Sequence, residues 1–266
     1  MVKIHPSAIV DPRAKLGIDV SIGPFCTIGP DVSLGDGVEL VSHVVVAGHT
    51  EIGANTRIFP FAAVGLSPQD RKYAGEPSRL VVGRDSVIRE HATLHPGTAG
   101  GGLLTEVGEG ALLMIGCHVA HDCKLGRQVT LINNATLGGH VHVGDFAILG
   151  GLSAVHQFVR IGQYAMVGGM TGVEGDVIPY GLVMGDRARL AGLNLVGLKR
   201  RGFSRDEIHA LRAAYRMLFA AEGTLVERLD DVTELFGQMK VVMDIVEFIR
   251  ADANRAICQP KNGTSA

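Results

Sequence analysis

Four histidines, His118, His121, His140 and His156, fall among eleven in the chain, accompanied by Asp122 and Gly139. Three kinds of chemistry suit such a set. Neutral imidazoles hydrogen-bonded to backbone can simply fill space. Three of them with an open position make a catalytic zinc site. One of them, its ring oriented by a neighbouring carboxylate, can take a proton from a hydroxyl while a backbone N–H steadies a developing oxyanion. Asp122 directly after His121, and a glycine available to bring an N–H close, favour the acid–base reading over the metal.

What brings these residues together is a period of six. An aliphatic residue occupies Ile4, Val10, Leu16, Ile22, Ile28, Leu34, Leu40, Val46, Ile52, Ile58 and Val64, then Val82, Ile88 and Leu94, and after a slip Val107 to Val173 in the same steps. Neither a helix of period 3.6 nor an alternating strand gives a six; a hexapeptide solenoid, a parallel β-helix of three hexads per coil, does. Val119, Leu137 and Val155 are then 18 apart and stack on consecutive coils. The four histidines, Asp122 and Gly139 are expected to gather at one corner of the prism. Glycines following the aliphatic residue, such as Gly23, Gly126 and Gly144, are expected where the corner demands awkward backbone angles.

Two stretches break the register, 66–79 (LSPQDRKYAGEPSR) and 95–106 (HPGTAGGGLLTE), and read as excursions from the prism. The repeat domain is expected to cover 1–186. A helical C-terminal domain covers 187–266, opened by capping boxes at Ser204/Glu207 and Thr224/Glu227, with Gly223 ending the first long helix and PKNGTSA as a flexible tail. A net charge of −2 argues against general nucleic-acid binding. No apolar run reaches the ~18 residues of a membrane span, and MVKIHPSAIV does not read as a signal peptide. Cys26, Cys117, Cys123 and Cys258 lack CxxC spacing and suit a reducing cytoplasm.

The stretches QDRKYAGEPSR (69–79), HVAHDCKLG (118–126), NNATLGGHV (133–141), AVHQF (154–158) and GLKRRGFSR (197–205) resemble the UDP-N-acetylglucosamine O-acyltransferase family over essentially the whole chain. The resemblance implies a left-handed parallel β-helix, a homotrimer with its site between subunits, and no cofactor or metal. It also implies transfer of a 3-hydroxyacyl group from acyl carrier protein to the 3-hydroxyl of UDP-N-acetylglucosamine, the first step of lipid A biosynthesis. His121 matches the family's general base, Asp122 the residue that orients it, and Gly139 the oxyanion donor. Gln69, Asp70 and Lys72 match substrate-binding positions on a loop that covers the neighbouring subunit's site. His95, His118, His140, His156 and Gln157 match positions lining sugar, diphosphate and acyl chain, and Asn194, Arg200 and Arg201 match nucleotide-facing ones. Gly169 matches the acyl-chain ruler, where a small residue leaves room for a longer chain. Val196 departs from the family, which often has an acidic residue there. The competing reading on the same solenoid is a zinc-dependent γ-class carbonic anhydrase. Acyl length, and N-acetylglucosamine against its 3-amino analogue as acceptor, stay open at this point.

Overall fold

The computed structural model describes residues 1–251 and 254–261. Short strands, mostly two residues long, form three sheets in which the strands as far as Gly172–Val173 pair in parallel with those three on in sequence. That topology is a parallel β-helix with three faces. On the first face Ile4 pairs with Ile22 and Ile22 with Leu40; on the second, Val119 with Leu137 and Leu137 with Val155. The inward column Ile22, Leu40, Ile58, Ile88, Leu113, Leu131, Leu149 and Val167 is buried throughout. Each such side chain contributes about 1.5–3 kcal/mol, so the stack carries the domain without tryptophan. The first coil is open to solvent, with Ile4 47% and Ile9 70% exposed.

The corners differ from expectation. The left-handed backbone angle falls three positions after the aliphatic residue and, apart from glycines such as Gly37, Gly110 and Gly116, is filled mostly by non-glycine side chains: Phe25, His43, Phe61, Asp122, His140, Phe158 and Tyr164, among others, have φ between 53° and 65°. That conformation costs a non-glycine residue about 1–2 kcal/mol. Two features offset it. The strained residue's N–H donates to a carbonyl on the preceding coil, as from His140 to His121 and from Phe158 to Gly139. Its side chain also stacks on the corner neighbours, giving ladders such as Phe25–His43–Phe61–His91 with centroids 4.9–5.1 Å apart. The glycines right after the aliphatic residue have ordinary φ, Gly65 at the start of the first excursion excepted. They are needed for close approach: a Cβ on Gly23 would lie 1.8 Å from the Val41 carbonyl, and one on Gly144 2.5 Å from the Gln163 nitrogen.

Both excursions leave the corner between the second and third faces. The first runs between the Ala63–Val64 and Arg79–Val82 strands, so Arg79 belongs to the sheet. The second ends before the Leu104–Val107 strand, which reclaims Leu104 to Glu106 for the solenoid. The sheet also persists past residue 186: Gly181–Met184 pairs antiparallel with Arg189–Leu193, closing the first face. Only then come the helices, α1 (Leu195–Arg200), α2 (Arg205–Leu218), α3 (Leu225–Phe236) and α4 (Lys240–Arg250). Both capping boxes form. Helix α2 ends before Gly223, and the chain after the Thr224 box is broken at Gly237 into α3 and α4. The helices are clasped to the last coils where Arg160 pairs with buried Asp176 at 2.7 Å and stacks on Phe248, and where Gln163 and Tyr180 both donate to Asp244. Pro260, expected in the flexible tail, bridges to Leu190; residues 262–266 lie outside the described residues.

Candidate active site

The corner between the second and third faces turns after each of Val119, Leu137 and Val155, and its geometry sorts the four histidines. The second corner position holds His121, Gly139 and Gln157 on successive coils; the third, left-handed position holds Asp122, His140 and Phe158. His121 is buried and its Nδ1 is 2.8 Å from Asp122 Oδ2. His140 lies edge-on to the His121 ring, centroids 5.1 Å apart, with its Nε2 3.8 Å from Asp122 Oδ2, and stacks flat on Phe158 at 4.4 Å. Burial pushes the His140 imidazole down, against the pull of Asp122.

His118 and His156 do not join this group, contrary to the expectation that all four converge. His118 sits one position before the aliphatic residue, on the flat face, where Thr93 Oγ1 meets its Nδ1 at 2.8 Å and the His95 ring lies 5.3 Å away. Burial, reinforced by His95 and His121, pushes it down to about 4. His156 sits one position after the aliphatic residue and faces the C-terminal segment, where Arg255 donates to its Nδ1 at 2.7 Å and to the Gln157 carbonyl at 3.1 Å. Equal spacing along the chain does not mean equal direction, because successive positions on a strand and its corner point to different sides.

Asp122 is held from above by the second excursion. Thr98 donates its backbone N–H to Oδ1 at 2.8 Å and its hydroxyl to Oδ2 at 2.6 Å, and the Asp122 N–H donates to Thr105 Oγ1 at 2.8 Å. The glycine run has a steric origin, since a Cβ on Gly101 would lie 2.0 Å from the Asp122 carboxyl carbon and one on Gly97 2.8 Å from Oδ1. Thr98, Thr105 and Arg255 are site residues that the sequence reading missed; the glycine cluster was the available signal for Thr98. The first excursion folds onto its own corner. Leu66 offers its carbonyl to His95 Nδ1 at 3.0 Å, Glu76 accepts from the Ala99 N–H at 3.0 Å, and the Asp70 charge is felt by His140. Gln69 and Lys72 are exposed on it, and Asp70 Oδ1 accepts from the Lys72 N–H within a tight turn.

Gly139 presses against His121: an added Cβ would lie 2.5 Å from Cε1 and 2.7 Å from Nε2. Its N–H makes no hydrogen bond among the described residues, unlike those of Ile18 and Arg127 at the same corner position, which donate to Asp36 and Asp145. With Nδ1–H given to Asp122, the Nε2 lone pair of His121 is left on the side of the ring that packs against Gly139. His121, Asp122 and His140 each bring one ligand atom within 4.8 Å of the others, but both Asp122 oxygens already accept hydrogen bonds from Thr98 or His121, and no set of three histidines assembles among the described residues. The donor set does not fit a three-histidine zinc site.

The other expected binding residues lie elsewhere on the same chain. Arg201 sits at the corner between the third and first faces, its guanidinium 4.5 Å above Phe146 and 5.8 Å from Tyr164. Arg200 is exposed beside it. Asn194, expected to face nucleotide, has both ends of its amide engaged: Oδ1 accepts from the Gly197 N–H as the cap of α1, and Nδ2 donates to the Tyr164 carbonyl at 2.9 Å. Gly169 is exposed at the remaining corner, between the first and second faces.

A buried His–Asp pair against a free backbone donor, at the corner of a hexapeptide solenoid, defines an acyl-transfer enzyme of the hexapeptide class. Consistent with that class, residues 13–48 match the family described as bacterial transferase hexapeptide (six repeats), and residues 176–258 match UDP N-acetylglucosamine O-acyltransferase, domain 2. The acyl-[acyl-carrier-protein]–UDP-N-acetylglucosamine O-acyltransferase of Caulobacter vibrioides is 55% identical over 258 residues, covering 97% of this chain and 98% of that protein. The UDP-N-acetylglucosamine acyltransferase structures from Francisella novicida (37% identical, TM-score 0.94, 98% of this chain and 95% of that one) and Campylobacter jejuni (39%, 0.91, 97% and 100%) superpose over nearly the whole molecule. The chain belongs to the acyl-[acyl-carrier-protein]–UDP-N-acetylglucosamine O-acyltransferase family.

Proposed function

We infer that this protein transfers a 3-hydroxyacyl group from acyl carrier protein to the 3-hydroxyl of UDP-N-acetylglucosamine. The observation that carries the reading is the His121–Asp122 pair at 2.8 Å facing Gly139. His121 Nε2 takes the proton of the sugar hydroxyl, whose oxygen attacks the thioester carbon. The carbonyl oxygen becomes an oxyanion and accepts a hydrogen bond from the Gly139 N–H. Collapse breaks the carbon–sulfur bond, and the imidazolium returns its proton to the thiolate. Asp122 fixes the ring and offsets the charge it acquires.

The placement of the binding residues supports a homotrimer. His121, Arg201 and Gly169 occupy three different corners of one prism, so one chain alone does not gather them around one substrate. A second copy laying its first face against the His121 corner would bring the nucleotide-facing arginines and the acyl ruler to the base. The same relatives support a left-handed coil. The four buried, unpaired cysteines suit a cytoplasmic protein, and among the described residues no helix is long and apolar enough to cross a membrane.

The test is transfer from 3-hydroxyacyl-acyl carrier protein to radiolabelled UDP-N-acetylglucosamine, with and without a strong chelator. Chelator-resistant product is expected, with kcat lowered about 10²–10⁴-fold in His121→Ala. Wild-type turnover in that variant, or stoichiometric zinc and no transfer, would sink the assignment.

A further inference from the structure

The acid–base pair is not freestanding. Asp122 lies at the bottom of a loop that exists only because the solenoid register is interrupted, and that loop is itself fastened to the other interruption. Thr98 is 4% exposed and spends both of its donors on the Asp122 carboxylate, N–H on Oδ1 at 2.8 Å and hydroxyl on Oδ2 at 2.6 Å. Oδ2 is also the atom 2.8 Å from His121 Nδ1. The Thr98 carbonyl in turn accepts from the Gly101 and Leu103 N–H groups, which fixes the loop that presents it. One residue on, the Ala99 N–H donates to Glu76 Oε1 at 3.0 Å, while Glu76 Oε2 accepts from the Ala74 N–H at 2.8 Å. These two backbone donors hold the Glu76 carboxyl below the usual range. A continuous chain of hydrogen bonds, joined through the Thr98–Ala99 peptide, therefore runs from the first excursion through Glu76, Ala99, Thr98 and Asp122 to His121.

We propose that Thr98 is the positioning residue of the Asp122–His121 pair, and that Glu76 makes its position depend on the first excursion, the loop bearing Gln69, Asp70 and Lys72. This rests on the acyl-transfer reading of the site. The hydroxyl does two things. It selects the carboxylate rotamer that aims Oδ2 at the ring, and it shares the negative charge the imidazolium would otherwise have to itself. Losing it leaves Asp122 less compensated and stabilises the protonated ring. The other titratable groups around the pair stay as they are: His140 on the next coil, His118 on the strand before it with His95 beside it, and Asp70 from the first excursion.

Thr98→Val keeps the shape and removes the hydroxyl. A charge-assisted hydrogen bond contributes about 1.5–3 kcal/mol, so kcat is expected to fall roughly 10- to 100-fold, with KM for the UDP-sugar nearly unchanged. The acid limb of the kcat/KM profile is expected to move to higher pH, and Thr98→Ser to restore both. A merely structural threonine would lower the melting temperature without moving the limb, and Thr98→Ser would then be no better than Thr98→Val; either result overturns the proposal. Glu76→Gln, on the solvent side of the chain, gives a second reading should Thr98→Val not fold. It is expected to lower kcat several-fold and move the limb in the same direction with the fold intact, and unchanged kinetics would refute the link from Glu76 to the pair. Titration of the His121 imidazole by NMR in Thr98→Ser, Glu76→Gln and wild type needs no turnover. A wild type without transfer whose His121 titration still responds to Glu76→Gln would refute the enzymatic reading and leave the positioning chain standing.

Discussion

Adding one methyl group at Gly139 isolates the contact on which the mechanism depends. The Cβ of Gly139→Ala would lie 2.5 Å from His121 Cε1, 2.7 Å from Nε2 and 3.1 Å from Nδ1, where ordinary contact begins near 3.4 Å. Gly139 has no left-handed φ, so alanine suits the backbone and the ring must give way. Its retreat is resisted on the far side, where Nδ1 is tied to Asp122 at 2.8 Å and Asp122 is pinned by Thr98. Relief requires a displacement of about 1 Å, either of the base or of the Gly139 N–H, and a misplacement of that size costs on the order of 10²-fold in rate. The overpacking itself destabilises by about 1–3 kcal/mol, not enough to unfold a solenoid with this core. Single-turnover transfer to radiolabelled UDP-N-acetylglucosamine, alongside a thermal melt, reads both effects. A folded Gly139→Ala protein within about threefold of wild-type rate would mean that neither the ring nor the Gly139 N–H takes part as described.

His118, pushed by burial from 6.5 down to about 4, takes up protons more readily when unfolded. The unfolded chain therefore binds more protons between these values, and native stability falls as pH is lowered through that window; His118→Gln should flatten the slope of melting temperature against pH from about 6.5 to 4, and an identical slope would refute the shift. At Gly169 an added Cβ meets only the Gly151 carbonyl, at 3.3 Å, so Gly169→Met should fold and move preference toward shorter 3-hydroxyacyl chains in a competition assay; unchanged preference would remove it as the ruler.

The solenoid was legible because an aliphatic residue recurs at every sixth position; the second buried position of each hexad, two residues earlier, was not, since it accepts Val20, Cys26, Ala62, Ser86 and Thr105 alike. The helices were legible where caps announce them, at Ser204 and Thr224, and not at Met239, which starts α4 with no side-chain cap. The corner glycines carried the right position and the wrong reason. Their lack of Cβ serves the neighbouring coil's backbone, while the strained angle is borne by residues such as Phe25 and His140, through contacts that a single hexad does not contain. Within the site, His121 and Asp122 are adjacent in sequence and could be paired on paper. Thr98 could not, because it reaches Asp122 by way of an excursion whose path no periodicity describes. Arg255 is held to the His156 rung by the fold-back of the C-terminal segment, again a contact outside the repeat.

The open first coil gives the molecule a soft end and a hard end. A solenoid's stability is close to a sum over neighbouring coils, so loss of structure travels along the axis from whichever terminus is least held. Here the first turn is the exposed one, at Ile4 and Ile9, whereas the last coils are clasped by the helices through Arg160 and Asp244. Amide exchange should therefore fade from fast to slow between Lys3 and the middle of the chain. The His121 corner, many rungs inward, can ride out fraying that opens the first turns, and truncations from the front should erode melting temperature well before they touch catalysis.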